Sequence, residues 1–510
     1  MAVLAYRGDL RHLSCDAWYL PGDFRPYLAP YWLSGDPGLQ DALARISELP
    51  EGWGPQATRV LALPLDDARR GTPILAAIPN DGTDDWGYHR ETLRQFVALA
   101  RTLERPKHLH LRPRRLLGVP LIGTGLSAWR PSSAKHVEGL LDALEEESAA
   151  GDIDFALVLH SEVHWAATQA VRRRQRSERG APVELQGLEP AAERLSAEAL
   201  TGRLVLFTGA GVSLPAGLPS WTQLLATLAA KAGFESAAVK ELSKLPLLDQ
   251  AALVDRRMGE GALFDELAAV MTVPHHAPAH GLLANLPVRE NVTLNYDELF
   301  ELAAHDAKVP VSVLPYEPAR DRWLLKLHGC IRADRRKDIV LTRGDYLSLG
   351  EHRASLTGLV QALLVTKHML FVGFGLADDH LHAVVHDVRR ALGQGRQGKL
   401  GTALVLGHDP LLDELWKDDL DLVAFPGSVP EAARVLELFL DHVLLLATTT
   451  DRHLFDEAFQ GLLSDDEKLL RERLEVAFNG VRTGEGPAWT KVRNLLEGLG
   501  WDDDSVRPTP

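Results

Sequence analysis

Cysteine is nearly absent from this chain: Cys15 and Cys330 are the only two in 510 residues. Two thiols cannot form a disulfide framework, nor supply a four-cysteine zinc site. Both are expected to be reduced, in a cytosolic, cytoplasmic protein. Long apolar runs are missing too. The most hydrophobic late stretch, VLELFLDHVLLLA (435–447), is broken by Glu437, Asp441 and His442. It is too short and too charged to span a bilayer and reads as a buried helix. The opening MAVLAYRGDL meets charge too early for a secretory signal. No membrane partner is expected. Positive charge is in deficit, with 55 Lys and Arg against 70 Asp and Glu, a net −15. That excludes broad, non-specific nucleic-acid binding, which needs a cationic surface, but leaves room for a nucleotide ligand.

What is present is globular: 45% hydrophobic, 25% charged, with no low-complexity tract or internal repeat. The length suits two or three domains. Residues 1–170 alternate short apolar runs (RVLALPL, TPILAAIPN, LLGVPLIGTG, DFALVLHS) with amphipathic helical patterns at 91–104 and 134–147. Such alternation predicts an α/β layer fold. VRRRQRSERGAPVELQG (171–187) is the best linker, its basic run reading as a solvated helix end. A second α/β region spans 188–445, with strands predicted at RLVLFTG, VTLN, LLKLHG, DIVLT (338–342), HMLFVGFG and TALVLG. After 446 the pattern is helical only, an extension over 446–510.

Four strand ends carry polar or glycine-rich turns. LFTGAGVSLPAGLPSW (206–221) follows the first strand of the second region. In a strand–turn–helix, free amides and the helix dipole make an anion site, and Gly209 and Gly211 permit close backbone approach. The full G-x-G-x-x-G fingerprint is not met, because Leu214 takes its third place. The turn alone is equally a simple tight turn. TLNYDELFE (293–301) puts Thr293, Asn295 and Asp297 at alternate positions, hence on one face of a strand end. KLHG (326–329) and FVGFGLADDHL (371–381) end two further strands. Doubly wound sheets bind ligands at such C-terminal ends.

These motifs, in this order, resemble the sirtuin family over roughly residues 190–430. The NYDELFE form, the VLTRGDY segment (340–346) and the tryptophan after G-L-P are similar to a sirtuin-like branch of bacterial antiphage defence. The resemblance implies a Rossmann-like doubly wound parallel sheet and an NAD+ glycohydrolase acting in abortive infection, with NAD as substrate and no metal. Deacylating sirtuins carry two C-x-x-C pairs, which two cysteines cannot provide, and Leu294 replaces a usual glutamine. Both departures favour the hydrolase over a deacylase or ADP-ribosyltransferase. A further alternative is a catalytically weak NAD or ADP-ribose sensor that gates an operon-encoded ATPase or nuclease. The resemblance assigns the diphosphate to Gly209, Ala210, Gly211 and Ser213, and the pocket toward adenosine to Gly373, Gly375 and Leu376. It gives Asn295 the orientation of ribose or water, supported by Asp297, and makes His328 the general base, since imidazole titrates near working pH. Asp297 is equally a helix N-cap. Trp221 reads as core packing or as pocket wall.

PHHAPAH (274–280) and HLHAVVHD (380–387) have metal-like spacing, and His382 and His386 would share a helix face. Without cysteines or H-E-x-x-H, they read as surface or capping histidines. In the first region, RGDLRHLSCDAWYLP (7–21) and VPLIGTGLSAW (119–129) resemble macrodomains. That implies a smaller macrodomain-like α/β domain whose Gly123, Thr124 and Gly125 grip a regulatory nucleotide diphosphate, or a scaffold for a homo-oligomer.

Overall fold

The computed structural model describes residues 3–67, 69–78, 86–122, 133–259, 261–393, 398–478 and 486–501. Two sheets organise the chain. The first contains β1 (Val3–Arg7), β2 (Ala17–Gly22), β3 (Val60–Ala62), β4 (Thr72–Ala77), β5 (Arg115–Val119) and β6 (Ile153–Leu159). Its order is β1-β6-β5-β2-β4-β3, parallel except for the β3–β4 pair. The second contains β7 (Leu204–Thr208), β8 (Glu290–Thr293), β9 (Ser312–Leu314), β10 (Trp323–Lys326), β11 (His368–Val372), β12 (Gly401–Leu406) and β13 (Leu420–Phe425). Its order is β13-β12-β11-β7-β8-β10-β9, all parallel. The strands read as short apolar runs because helices cover both faces; every residue of β6 and β7 is buried. The chain leaves β7 toward β8 on one side and returns as β11 on the other. That reversal opens a crevice above β7 and β11.

The expected α/β, Rossmann-like architecture is present, with two corrections. DIVLT is not a strand: Arg336–Asp338 is a 3-10 turn, and the backbone N–H groups of Leu341 and Thr342 are taken by the Asp345 carboxylate. Residues 171–179, expected in a linker, are the last turns of the helix Glu162–Arg179. The run is solvated only in part: Arg174 and Arg179 are exposed, whereas Arg172, Arg173 and Arg176 are half-buried. Arg172 pairs with Asp441, and Arg173 donates to the Thr448 carbonyl at 3.0 Å.

VLELFLDHVLLLA is indeed a buried helix, within Val429–Ala447. It packs on β1, β12 and β13 and on the helices Glu189–Leu200 and Pro278–Asn285, so it touches both sheets. The charges that break the run are its clamps. Glu437 pairs with Arg112 at 2.6 Å, Asp441 accepts from the Ala5 amide at 2.9 Å, and Arg434 grips Asp154 of β6 at 2.8 Å. One hydrophobic cluster runs from Phe155 of β6 through Phe439 to Leu206 of β7. The two regions also share a single parallel β-bridge, Leu13 with His276, where the His276 amide donates to His12 O at 2.8 Å. Beside it, the Tyr6 ring lies on Gly281, where a Cβ would come within 2.3 Å of it. Beyond these, the helices Asp465–Phe478 and Pro487–Gly498 follow toward the C-terminus. Among the described residues, no helix is long and apolar enough to cross a membrane.

Candidate active site

The glycines of the two loops above β7 and β11 face each other. The Gly209 amide donates to Val372 O at 3.0 Å and the Gly211 amide to Gly373 O at 2.8 Å. A Cβ on Gly209 would stand 2.6 Å from Gly373 O, and one on Gly211 2.8 Å from the Gly373 Cα. Gly373 itself has φ +64°, and a Cβ there would meet the Val212 amide at 2.5 Å. These glycines lock the crevice floor first; only Gly209, Gly373 and Gly375 also line the cavity above it. The helix expected directly after the turn is displaced. Short 3-10 turns cover 210–212 and 214–216, Gly217 takes φ +89°, and the α-helix begins at Trp221 behind a Ser220–Gln223 capping box. Pro215 and Pro219 explain the delay, since neither can donate an amide inside a helix.

The cavity holds about 450 Å³. It gathers Gly209, Ala210, Ser213, Asn295, Asp297, His328, Gly373 and Gly375 along one wall. Gly211 sits beneath, against Gly373. Leu376 does not line it: with φ +54°, its side chain turns down into the core. The far end is apolar, with Trp221, Leu224, Leu248 and Met271. Trp221 is thus both wall and packing, edge-on to Tyr296 at 6.1 Å. Gly123, Thr124 and Gly125 lie outside the described residues.

Asn295 stands beyond the end of β8, held by a buried network. The Asn295 amide nitrogen donates to Gly209 O at 3.1 Å and to Ser213 Oγ at 3.2 Å. The Ser213 hydroxyl donates to Asp297 Oδ2 at 3.0 Å. His280 completes it. Its Nδ1 accepts the Ala277 amide at 3.3 Å, so its proton sits on Nε2, which lies 3.3 Å from Ser213 Oγ. With both N–H groups committed, Asn295 offers its carbonyl oxygen to the cavity. Ser213 is therefore a positioning group. The other Asp297 oxygen accepts the Leu299 amide at 3.1 Å at the start of the next helix, whose N-cap position is Glu298. Beneath the loop, fully buried Lys326 donates to the carbonyls of Tyr296 and Asp297 and pairs with Glu301 at 2.7 Å.

His280 and Lys326 escape a linear reading, because their partners lie far away in sequence. PHHAPAH is not a surface patch: His275, His276 and His280 are all at most 2% exposed. Burial pushes His280 down to about 3 and His275 to about 4. His275 faces His108, Asp67, Arg69 and Arg70. An imidazole kept neutral in the fold but free to protonate when unfolded stabilises the protein above pH 6.5, its unfolded value. That stability drains as pH falls from 6.5 toward 4. Each such group contributes a slope of about 1.4 kcal/mol per pH unit. His12, raised by Asp306, acts in the opposite sense. The urea midpoint should fall between pH 7 and pH 5, and His275→Phe should flatten the drop. An unchanged slope in that variant would remove His275 from the account.

His328 follows β10, and Gly329 after it takes φ +94°, where a Cβ would meet Asp338 O at 2.5 Å. Arg353 donates to the Leu327 and Asp338 carbonyls and fixes this turn. His328 is 2% exposed, its Nε2 has no hydrogen-bond partner, and burial pushes it down to about 4. The imidazole is therefore a neutral base at pH 7 rather than one titrating near it, as the sequence suggests. Tyr346 from VLTRGDY stands edge-on to it at 5.1 Å and donates to Asp378 Oδ2 at 2.9 Å. Of the histidines in HLHAVVHD, His382 binds Leu376 O and packs on Trp416, and His386 is exposed.

Residues 289–421 match the family model of the SIR2-like domain. The protein named NAD(+) hydrolase ThsA from Enterococcus faecium is 28% identical over 217 residues, 40% of this chain and 44% of that one. ThsA from Bacillus cereus is 29% identical over 208 residues, 38% of this chain and 41% of that one. Defense-associated sirtuin 2 of Bacillus subtilis is 26% identical over 196 residues, 37% of this chain and 19% of that one. The chain thus spans less than half the length of these relatives. The matched segment, 289–421, runs from β8 to β13 of the second sheet and includes Asn295 and His328, which line the cavity.

Proposed function

We propose that this protein is an NAD+ hydrolase that releases nicotinamide and ADP-ribose. One observation carries the reading: a neutral imidazole with an uncommitted Nε2 and an asparagine carbonyl oriented by a buried network open into one cavity. Nicotinamide is a cationic leaving group. When its bond to the ribose breaks, the bonding electron pair returns to the ring nitrogen and leaves an oxocarbenium-like centre. A water bonds to that carbon, and its proton passes to His328 Nε2. The Asn295 carbonyl holds the water or a ribose hydroxyl, and the Ser213–Asp297–His280 network holds Asn295. Gly209, Ala210, Gly211, Gly373 and Gly375 supply the narrow floor for the diphosphate, and the apolar end shields the reacting carbon from bulk water.

In this reading the enzyme depletes NAD in the cytoplasm as an abortive-infection effector; the names of its relatives support the NAD hydrolysis and the link to defence. The first domain is a macrodomain-like nucleotide sensor, or a scaffold for a homo-oligomer. Incubating purified protein with NAD should release nicotinamide and ADP-ribose in equal amounts. Failure to release nicotinamide, with NAD still bound, would favour the sensor.

A further inference from the structure

His328, Asp378 and His380 each present a ligand atom to one point: the three atoms lie within 4.8 Å of one another. The sequence reading expects no metal, and its histidine spacing points to His382 and His386. Neither takes part. His328 arrives instead from β10, more than fifty positions earlier in the chain.

We propose that this trio binds a single Zn2+ and that the ion switches the enzyme off. Two imidazoles and a carboxylate are a zinc donor set. Around a tetrahedral zinc with bonds of about 2.1 Å, donor atoms stand roughly 3.4 Å apart, so modest side-chain shifts close the site. The second shell already exists. Tyr346 Oη donates to Asp378 Oδ2 at 2.9 Å and the Leu381 amide to Asp378 Oδ1 at 3.0 Å, which fixes the carboxylate. Thr357 Oγ1 lies 3.1 Å from His380 Nε2, leaving Nδ1 as the donor, as metal-binding histidines require. The rings of His328 and His380 are stacked at 6.0 Å, 23° apart. The buried His328 Nε2, without a hydrogen-bond partner, is the unspent atom that a metal would take. Asp379 adds a second negative charge at the cavity. The neighbouring cations are occupied: Arg353 by two carbonyls, Arg343 by Asp249.

Inhibition follows from the electron count. The neutral imidazole has one lone pair, which accepts a proton or a zinc ion but not both. A dication there also repels the positive charge that develops on the ribose carbon. The inhibitory effect rests on the hydrolase reading; the binding does not.

Chelator-treated full-length protein should bind one Co2+ with the intense visible absorption of a tetrahedral site, and Zn2+ should displace it. Zn2+ should also slow NAD cleavage, with recovery on adding chelator. His380→Gln should lose metal affinity by at least about tenfold and keep its NAD cleavage, now resistant to zinc. His386→Gln, on the exposed side of the same helix, should behave like the parent. Absence of a tetrahedral cobalt spectrum, or equal binding by His380→Gln and the parent, overturns the proposal. If the protein cleaves no NAD, the cobalt titration still decides the metal site, and the hydrolase reading fails separately.

Discussion

Replacing His328 by Ala should reduce nicotinamide release by about 10²–10⁴-fold, and replacing Asn295 by Ala should do the same, with each protein still folded. His328→Ala removes the only imidazole that lines the cavity among the described residues. Its loss leaves the fold in place, because the turn is held by backbone bonds: Val340 N to His328 O at 2.9 Å, and Arg353 on the Leu327 carbonyl. Asn295→Ala removes the oriented carbonyl. Ser213 keeps its bonds to Asp297 and His280, so the floor survives. Asn295→Asp is the sharper probe. It preserves size but sets a carboxylate oxygen against the Gly209 carbonyl, so the side chain must turn. Nicotinamide release and a thermal melt on each variant separate chemistry from folding. Parent-like rates in both alanine variants would remove these residues from the mechanism.

Asp154→Ala should destabilise the protein by about 3–5 kcal/mol, the cost of leaving a buried charge without its partner. Asp154 is 1% exposed and accepts from Arg434 at 2.8–3.0 Å and from Arg112 at 3.3 Å. Removing the carboxylate leaves buried Arg434 with only the longer pair to Glu184 at 3.6 Å, and Arg112 with Glu437 alone. Asp66→Ala is the contrast: its pair with Arg45 is exposed and should contribute nothing measurable. Urea unfolding followed by tryptophan fluorescence gives both values. Because one core joins the sheets, Asp154→Ala should lower a single transition. Two separate transitions, with only the first shifted, would show that the regions fold independently.

The parallel sheets were readable because buried strands announce themselves as short apolar runs, and the four cavity-lining turns because each is contiguous. Gly209, Gly211 and Gly373 are obvious as glycines; that they meet each other across the crevice is not. The Ser220–Gln223 capping box and the two prolines in LPAGLPS do mark where the helix starts, and they outweigh the expectation of a helix straight after Gly211. DIVLT failed for the usual reason: β-branched residues suit a strand, but Asp345 takes the amides that a ladder would need. His280, Lys326 and the His328–Asp378–His380 trio depend on chain crossings that no window of sequence contains. The basic run 172–179 misled because its counter-charges, such as Asp441, lie some 270 positions on.

The helix Val429–Ala447 has a consequence for inheritance. It is encoded after the cavity-lining motifs, yet it docks on β1 and holds β6 through Arg434. A recombination event that exchanged residues 1–187 for an unrelated domain would meet a mismatched Arg434, Glu437 and Asp441, and a Gly281 shaped to the Tyr6 ring. A viable exchange would have to carry three separate blocks at once: the N-terminal region, the 275–285 segment and this helix. Crossovers between them would yield chains with buried unpaired charge. The two regions are therefore tied to one another in any exchange, and change in the first region is expected by substitution within it rather than by swapping it.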